Sequence, residues 1–206
     1  MKTQTVTGTK VEIVKTCGNN HVIVKVLGRN NLAQVDAKDL ILPEGELPKE
    51  LAELKSTDVV YDLYSGTGTI AIYLSDVVER VIGIEVVESA IADAERNADI
   101  NKITNCYFLQ GDLKDCLTKY RSWLEDHPQP TVVVADPPRS GMHEKVIKQI
   151  IKFSPDRIVY VSCNPATQAR DAKLLAAEGY KLDVVQPVDM FPHTDHVEAV
   201  ALFRKL

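Results

Sequence analysis

The sequence predicts an α/β fold around a mainly parallel β-sheet, and two regularities of the pattern support this. From Asp58 onward, short apolar β-type runs alternate with segments of helical periodicity, and strands joined by helices favour parallel pairing. The last two β-type runs, at 181–187 and 197–203, are separated by a loop alone. We therefore expect a closing hairpin that leaves the final strand antiparallel to its neighbours.

The other elements are expected in regular alternation. Strands are predicted at 59–63, 80–85, 106–110, 131–135 and 157–161, and the helices that follow them at 69–75, 87–100, 113–124, 143–152 and 166–178. A parallel sheet closed by one reversed hairpin is the arrangement of the class I S-adenosylmethionine-dependent methyltransferase fold, a Rossmann-like architecture. We predict this fold for residues 58–206, preceded by a small β-rich N-terminal segment.

The first 42 residues differ in character from the rest. Their β-type runs at 11–14, 22–27 and 32–35 are separated by turn signals rich in Gly and Asn, which predicts a hairpin or a mini-barrel. Residues 43–57 are predicted to be a linker with a short helix at 49–54.

Composition limits the classes of function. The 206 residues carry a net charge of -5 and a hydrophobic share of 45%, which suits one soluble domain with a small appendage. No apolar run approaches the roughly 20 residues of a membrane span, and no signal peptide opens the chain. The four cysteines lack paired metal spacing, so we expect a reducing, cytoplasmic setting. The negative charge weighs against tight binding of a long nucleic acid unless a local basic groove exists.

A glycine loop follows the first predicted strand of the parallel sheet. The segment from Asp62 to Ala71 has the spacing Gly66-x-Gly68-x-x-Ala71, in which glycines allow a sharp turn and the helix start offers free N–H groups. Such a loop suits either a nicotinamide dinucleotide or S-adenosylmethionine. The candidate cofactor-binding residues of the loop are Asp62, Tyr64, Ser65, Gly66, Gly68 and Thr69.

Acidic residues end three successive strands, and they favour S-adenosylmethionine. Asp62 precedes the glycine loop, where a carboxylate would repel a pyrophosphate but would suit the ammonium group of a methionine moiety. Glu85 is placed to accept hydrogen bonds from ribose hydroxyls, and Asp112 is expected near the adenine amino group. The alternative is that these acids only cap helices or turns, although three in succession favour a cofactor pocket.

The fourth strand leads into Asp136-Pro137-Pro138-Arg139. Two prolines make a stiff loop, which would hold Asp136 beside the transferable methyl group. A related Asp/Asn-Pro-Pro-aromatic pattern serves amino-group methyltransferases, and Arg139 in the aromatic position disfavours that chemistry. The remaining alternative is a proline-rich connector without a catalytic role.

Cys163 lies where an apolar strand meets Asn164-Pro165. Reactive groups collect at the carboxyl ends of strands in α/β sheets, so Cys163 is placed like a nucleophile. Glu198 begins the last strand, and the sheet can bring it near Cys163. His193, His196 and Glu198 lack the helical spacing of familiar zinc motifs, so no metal site is predicted.

Four segments together resemble one family. They are Asp-Leu-Tyr-Ser-Gly-Thr-Gly-Thr-Ile from Asp62, Asp-Pro-Pro-Arg-Ser-Gly-Met-His from Asp136, Tyr-Val-Ser-Cys-Asn-Pro-Ala-Thr-Gln-Ala-Arg-Asp from Tyr160, and Asp-Met-Phe-Pro-His-Thr-Asp-His-Val-Glu ending at Glu198. This set resembles the RNA 5-methyluridine (uracil-C5) methyltransferases, which include enzymes acting on 23S rRNA and on tRNA. The resemblance covers about residues 50–206.

The resemblance implies S-adenosylmethionine as cofactor and a uridine of rRNA or tRNA as substrate. Cys163 would be the nucleophile, Glu198 the base that removes the C5 proton, and Asp136 part of the catalytic and cofactor pocket. Pro137, Arg139 and Asn164 are predicted substrate contacts. The chemistry requires such groups because a thiolate at C6 makes C5 nucleophilic, and a carboxylate must then release the C5 proton. The target base must also leave its stack.

The chain departs from the family in its first part. Longer members carry an RNA-binding β-barrel and often an iron-sulfur cysteine cluster, for which this chain has too few residues and cysteines ahead of the catalytic part. Their uracil-contacting glutamine lies in a Phe-x-Gln-x-Asn segment, for which Gln34 is the candidate here. Two alternatives stay open: an amino-group nucleic-acid methyltransferase that uses Asp136, and a cofactor-binding module without catalysis.

Overall fold

The computed structural model describes residues 52–115, 122, 125–188 and 198–206 of the protein, together with the backbone of five strands between residues 2 and 41. Most of the helix expected at 113–124, the residues 49–51, and both His193 and His196 lie outside the described residues. No helix in the described part of the chain is long and apolar enough to cross a membrane.

The N-terminal strands form an antiparallel sheet in the order β4-β3-β2-β1-β5. They are β1 (Lys2–Thr5), β2 (Lys10–Cys17), β3 (His21–Val26), β4 (Leu32–Asp36) and β5 (Leu40–Ile41). The three predicted β-type runs are confirmed as β2, β3 and β4. The short strands β1 and β5 were not predicted, because their segments carry no clear alternation of apolar and polar residues.

The rest of the described chain forms a seven-stranded sheet in the order β11-β12-β10-β9-β6-β7-β8. Its strands are β6 (Val59–Leu63), β7 (Arg80–Glu85), β8 (Cys106–Gln110), β9 (Val132–Ala135), β10 (Arg157–Ser162), β11 (Tyr180–Val188) and β12 (Glu198–Lys205). The helices are α1 (Thr69–Leu74), α2 (Glu88–Ile100), α3 (Glu144–Phe153) and α4 (Pro165–Ala177). Strands β6 to β10 pair in parallel, and β12 runs antiparallel to both β10 and β11. The predicted parallel sheet with a reversed closing hairpin is confirmed.

Two apolar cores cover the faces of this sheet. Every residue of β6 and β9 is buried, because helices cover both faces of a parallel sheet. Successive residues alternate between the cores: Tyr61 and Leu63 belong to one, and Val60 to the other. Burying each such side chain contributes about 1.5–3 kcal/mol, which makes the strands a rigid support for the residues at their ends.

A buried ion pair holds the start of the domain to the sheet. Arg157 pairs with Asp58 at 2.7 Å, and it also donates to the backbone carbonyls of Ala52 and Glu53. Residues 52 and 53 form a turn, and Glu53 has a φ of 49°. The predicted helix at 49–54 therefore does not extend through these two residues, whose carbonyl groups bind Arg157 instead.

Candidate active site

The predicted site residues gather at the carboxyl ends of the parallel strands. The glycine loop follows β6, Glu85 ends β7, Asp112 follows β8, Asp136 follows β9, and Cys163 follows β10. This is the edge at which open α/β sheets bind ligands.

The glycine loop adopts the left-handed backbone that its sequence predicts. Gly66 and Gly68 have φ values of 54° and 80°. A Cβ on Gly68 would lie 3.0 Å from both the Cβ of Ala94 and the ring of Phe108, so glycine is needed there for conformation and for space. Tyr64 also has a positive φ of 64°, which costs about 1–2 kcal/mol in a residue with a side chain.

Asp62 is a buried carboxylate with one free oxygen. Its side chain is fully buried, and its Oδ2 accepts a hydrogen bond of 3.0 Å from the backbone N–H of Ala71. Its Oδ1 has no hydrogen-bond partner among the described residues. Burial raises the pKa of Asp62 to about 8, and the nearby carboxylates of Asp136 and Glu85 add to the rise. Such a group calls for a cationic or proton-donating partner.

Glu85 joins the second strand to the glycine loop. Its Oε2 accepts from the Gly66 N–H at 3.1 Å, and its Oε1 accepts from the N–H groups of Val86 and Val87 at 2.8 and 3.0 Å. The carboxylate is thus fixed in place by backbone donors. Each carboxylate oxygen can accept about two hydrogen bonds, so Oε2 keeps capacity for a ligand hydroxyl.

A cavity of about 300 Å³ opens at Glu85, and Asp62 is not among the residues that line it. It is lined by Tyr64, Ile84, Glu85, Val86, Gly111, Asp112, Leu113, Lys114, Pro138, Ser140, Gly141, His143 and Val146. The walls are mostly apolar with a few polar groups, and the volume lies at the lower end of small-molecule sites. A larger opening of about 470 Å³ lies at the opposite edge of the sheet, where the Asp58–Arg157 pair is, and it contains none of the predicted site residues.

Several residues of this cavity were not predicted. Lys114 forms an ion pair of 3.1 Å with Asp112, and its backbone N–H donates to the same carboxylate. His143 caps α3 by accepting from the Lys145 N–H at 3.1 Å. Ser140 and Val146 carry no sequence signal of their own. The one sequence feature that could have indicated these cavity residues is the stiff Asp-Pro-Pro segment, because it suggests that the loop after it has a fixed position.

Asp136, Cys163 and Glu198 belong to the ends of three neighbouring strands of the sheet. Strand β10 lies between β9 and β12, with Tyr160 paired to Ala135 on one side and Ser162 paired to Ala199 on the other. Asp136 and Glu198 are therefore each one residue beyond the last pair. Continued by one residue, the register sets Glu198 opposite Cys163 and Asp136 opposite Val161, two residues before the cysteine. Cys163 is half-buried, so its thiol is neither fully enclosed nor fully open.

The pKa values of Asp136 and Glu198 are both raised. Desolvation and the charge of Glu198 raise the pKa of Asp136 to about 6. Partial burial also raises the pKa of Glu198 above its ordinary value. The Asp136 side chain still reaches solvent, which moderates the effect of burial. The site thus holds two carboxylates that accept protons more readily than ordinary surface acids.

Asn164 and Arg139 are in contact with each other. Asn164 Oδ1 accepts from the Ala166 N–H at 3.1 Å and caps α4, and its Nδ2 donates to the Arg139 carbonyl oxygen at 3.3 Å. Pro137 is buried and Arg139 is exposed. Gln34 lies on β4 in the N-terminal sheet, where side chains are outside the described residues. The roles predicted for these four residues stay predictions.

Within the described part of the chain, no three His, Cys, Asp or Glu side chains are grouped so that they could hold a metal ion. His193 and His196 lie outside that part.

The sequence matches the model of one protein family, described as tRNA (Uracil-5-)-methyltransferase, over residues 46–206. The chain belongs to the tRNA (uracil-5-)-methyltransferase family. The predicted family is confirmed, and the match begins after the N-terminal strands.

Curated relatives support the same assignment. A Bacteroides thetaiotaomicron protein named an uncharacterized RNA methyltransferase is 54% identical over 157 residues, which are 76% of this chain and 34% of that protein. A relative of the same description from Lactococcus lactis is 48% identical over 160 residues, or 78% of this chain and 34% of its own length. The chain thus spans about a third of the length of the curated relatives it matches.

Solved structures confirm the predicted fold. The tRNA (uracil-54, C5)-methyltransferase of Pyrococcus abyssi, solved with S-adenosyl-L-homocysteine, is 32% identical with a TM-score of 0.64, and the match covers 91% of this chain and 45% of that one. TrmN from Thermus thermophilus matches with a TM-score of 0.59 at 20% identity over 77% of this chain and 47% of its own. The second similarity supports the fold alone.

Proposed function

We propose that this chain is the catalytic part of an S-adenosylmethionine-dependent RNA methyltransferase that modifies C5 of a uridine through a covalent adduct on Cys163. The single observation that supports this proposal is the strand order β9-β10-β12, in which Asp136, Cys163 and Glu198 belong to the ends of three neighbouring strands. An amino-group methyltransferase needs neither a nucleophilic cysteine nor a base at the start of the last strand.

The cofactor cavity fits S-adenosylmethionine, which would supply an electrophilic methyl group. The unpartnered Oδ1 of buried Asp62 suits the ammonium of the methionine moiety, because a cation there would compensate the buried carboxylate. Glu85 is held at the loop by backbone donors and can accept from a ribose hydroxyl. Asp112 lies in the cavity wall beside the apolar surface that an adenine ring would contact.

The chain's own residues would carry the substrate chemistry. Cys163 Sγ, as thiolate, forms a bond to C6 of the uracil, and the electron pair of the C5–C6 double bond moves so that C5 becomes nucleophilic. After C5 has been methylated, Glu198 accepts the C5 proton, the double bond re-forms and the sulfur leaves as thiolate. The raised pKa of Glu198 makes it a stronger base than a free carboxylate. Arg139, which is exposed and follows the Asp-Pro-Pro segment, would contact the RNA.

The substrate class follows from the family. The Pyrococcus abyssi relative acts on tRNA by its name, and the curated relatives are named as RNA methyltransferases. We infer a tRNA or an rRNA substrate for this chain, in the cytoplasmic setting that its cysteine usage favours.

The test is covalent trapping. The chain is incubated with S-adenosylmethionine and tRNA or rRNA transcripts that contain 5-fluorouridine, in which the C5 fluorine blocks the final deprotonation. We expect an RNA–protein adduct that withstands denaturing electrophoresis, and its loss in Cys163→Ser. Mass spectrometry of the adduct peptide should identify Cys163 as the linked residue.

Two results would contradict the proposal. RNA methylation that persists in Cys163→Ala would indicate amino-group chemistry at Asp136. Binding of S-adenosylhomocysteine with no adduct on any transcript would indicate a cofactor-binding module without uracil chemistry.

A further inference from the structure

Helix α4, which begins just after Cys163, carries an arginine and an aspartate that bind the loop following β9. Asp171 is fully buried. Its carboxylate accepts hydrogen bonds of 2.8 Å from the Met142 backbone N–H, the Tyr160 hydroxyl and Arg170 Nε. Burial and the bond to Asp171 raise the pKa of Tyr160 far above its ordinary value, so the tyrosine remains a donor.

Arg170 binds the same loop from outside. Its Nη2 donates to the carbonyl oxygens of Ser140 and Met142 at 3.1 and 3.2 Å and pairs with Asp171 at 2.7 Å. The Arg170 side chain is 53% exposed, so it does not fill the core. Its contacts are polar and directed at backbone atoms.

The network continues to the residue next to the cysteine. Thr167 Oγ1 and Asn164 Nδ2 each donate to the Arg139 carbonyl oxygen at 3.3 Å. Gly141 leaves room for the network: a Cβ there would lie 2.6 Å from Arg170 Nη2 and 2.7 Å from Asp171 Oδ2. Side chains of α4 and its cap thus hold the loop from Arg139 to Met142 by hydrogen bonds to the backbone groups of the loop.

This loop belongs to both halves of the site. Pro138, directly before the loop, and Ser140 and Gly141 within it line the cofactor cavity. The Arg139 carbonyl oxygen accepts from Asn164, the residue directly after Cys163. A displacement of the loop relative to α4 would therefore change the cavity wall and the surroundings of the cysteine together.

We infer that Arg170 and Asp171 are positioning residues. By holding the loop from Arg139 to Met142 against α4, they would fix the position of the cofactor cavity wall relative to Cys163. The inference rests on the proposed function of Cys163. Neither residue is expected to touch the substrate or the cofactor.

The experiment compares two variants with matched controls. Arg170→Gln is paired with Arg204→Gln, because Arg204 on β12 is likewise a partly exposed arginine in ion pairs, with Asp183 on β11 and with Glu53 before β6. Asp171→Asn is paired with Asp58→Asn, the other buried carboxylate with an arginine partner. For each protein we would measure thermal unfolding, S-adenosylhomocysteine affinity by calorimetry, and the rate of 5-fluorouridine RNA adduct formation at saturating cofactor.

We expect Arg170→Gln and Asp171→Asn to slow adduct formation at least about tenfold and to weaken S-adenosylhomocysteine binding several-fold. The control variants should lose thermal stability without a change in either quantity. Arg170→Lys keeps the charge beside Asp171 and one donor for the loop, so its rate should lie between those of the wild type and Arg170→Gln. If Arg170 only stabilised the fold, the adduct rates at saturating cofactor would not fall in the order wild type, Arg170→Lys, Arg170→Gln.

Unchanged S-adenosylhomocysteine affinity and an unchanged adduct rate in Arg170→Gln would overturn the inference. This variant remains testable even if Asp171→Asn fails to fold, because the Arg170 side chain is half exposed. Failure of the proposed function gives a different result, because the wild-type chain itself would then form no adduct.

Discussion

The carboxylate of Glu198 raises the pKa of Asp136, although 61 intervening positions that include the strands β10 and β11 separate them in sequence. This electrostatic coupling arises because β10 lies between β9 and β12, so that the end of β9 and the start of β12 lie at the same end of β10. This end of the sheet therefore carries two carboxylates whose pKa values are both raised.

This relationship predicts the effect of Glu198→Gln on Asp136. Desolvation remains in the variant while the charge of Glu198 is removed, so the pKa of Asp136 should fall from about 6 but stay above the ordinary value of an aspartate. The measurement is a pH titration of isotope-labelled aspartate carboxyl carbons by NMR. Glu144→Gln, at an exposed position on α3, is the control and should leave Asp136 unchanged. An Asp136 pKa that does not move in Glu198→Gln would show that the two groups are not coupled.

Gly68→Ala tests whether the glycine loop requires space as well as a left-handed backbone. Gly68 and Gly179 have similar φ values of 80° and 89°, but of these two only Gly68 has atoms within 4 Å of the place where a Cβ would lie, at Ala94 and Phe108. Both alanine variants should lose about 1–2 kcal/mol of unfolding free energy from the backbone conformation. We expect Gly68→Ala to lose more than this and to bind S-adenosylhomocysteine more weakly.

Urea unfolding and calorimetry would check the comparison between the two glycine variants. Equal losses of stability with equal cofactor affinity would show that the contacts with Ala94 and Phe108 do not constrain the loop.

The sequence predicted those parts of the site that depend on strand ends. Alternation of strands and helices placed Asp62, Glu85, Asp112 and Cys163 at one edge of the sheet, because parallel strands share that edge. It did not predict that Arg170 and Asp171 bind the loop from Arg139 to Met142. Such contacts depend on the rotation of α4 and on the path of a loop, and neither is specified by hydrophobic periodicity.

The sequence pattern also did not predict which backbone groups donate hydrogen bonds to the acidic residues at the strand ends. Glu85 was expected to bind ribose, and the structure shows that backbone N–H groups of Gly66, Val86 and Val87 already hold it. An acid at a strand end is readily predicted, whereas its donors depend on loop torsions such as the φ of 54° at Gly66.

The raised pKa of Asp62 predicts how the stability of the protein changes with pH. Its pKa is raised from 3.8 to about 8 by burial, so the protonated form is favoured in the folded state. Protonation of Asp62 therefore favours the folded state. Its full contribution to the free energy of unfolding is present below the pKa of the unfolded state, and it is lost as the pH rises toward 8. Asp62→Asn keeps an acceptor for the Ala71 N–H without a charge, and should therefore be more stable than the wild type at pH 8, by an amount on the order of a few kcal/mol.

The same substitution should weaken S-adenosylhomocysteine binding at least about tenfold, because a neutral amide at Asp62 cannot compensate an ammonium group. In the wild type, an ammonium beside the unpartnered Oδ1 favours the ionised carboxylate, so cofactor binding near pH 7 should release a proton. Calorimetry in buffers of different ionisation enthalpy measures that proton directly. Asp62→Asn should abolish the release, and a wild-type chain that binds without releasing a proton would show that Asp62 does not face the ammonium group.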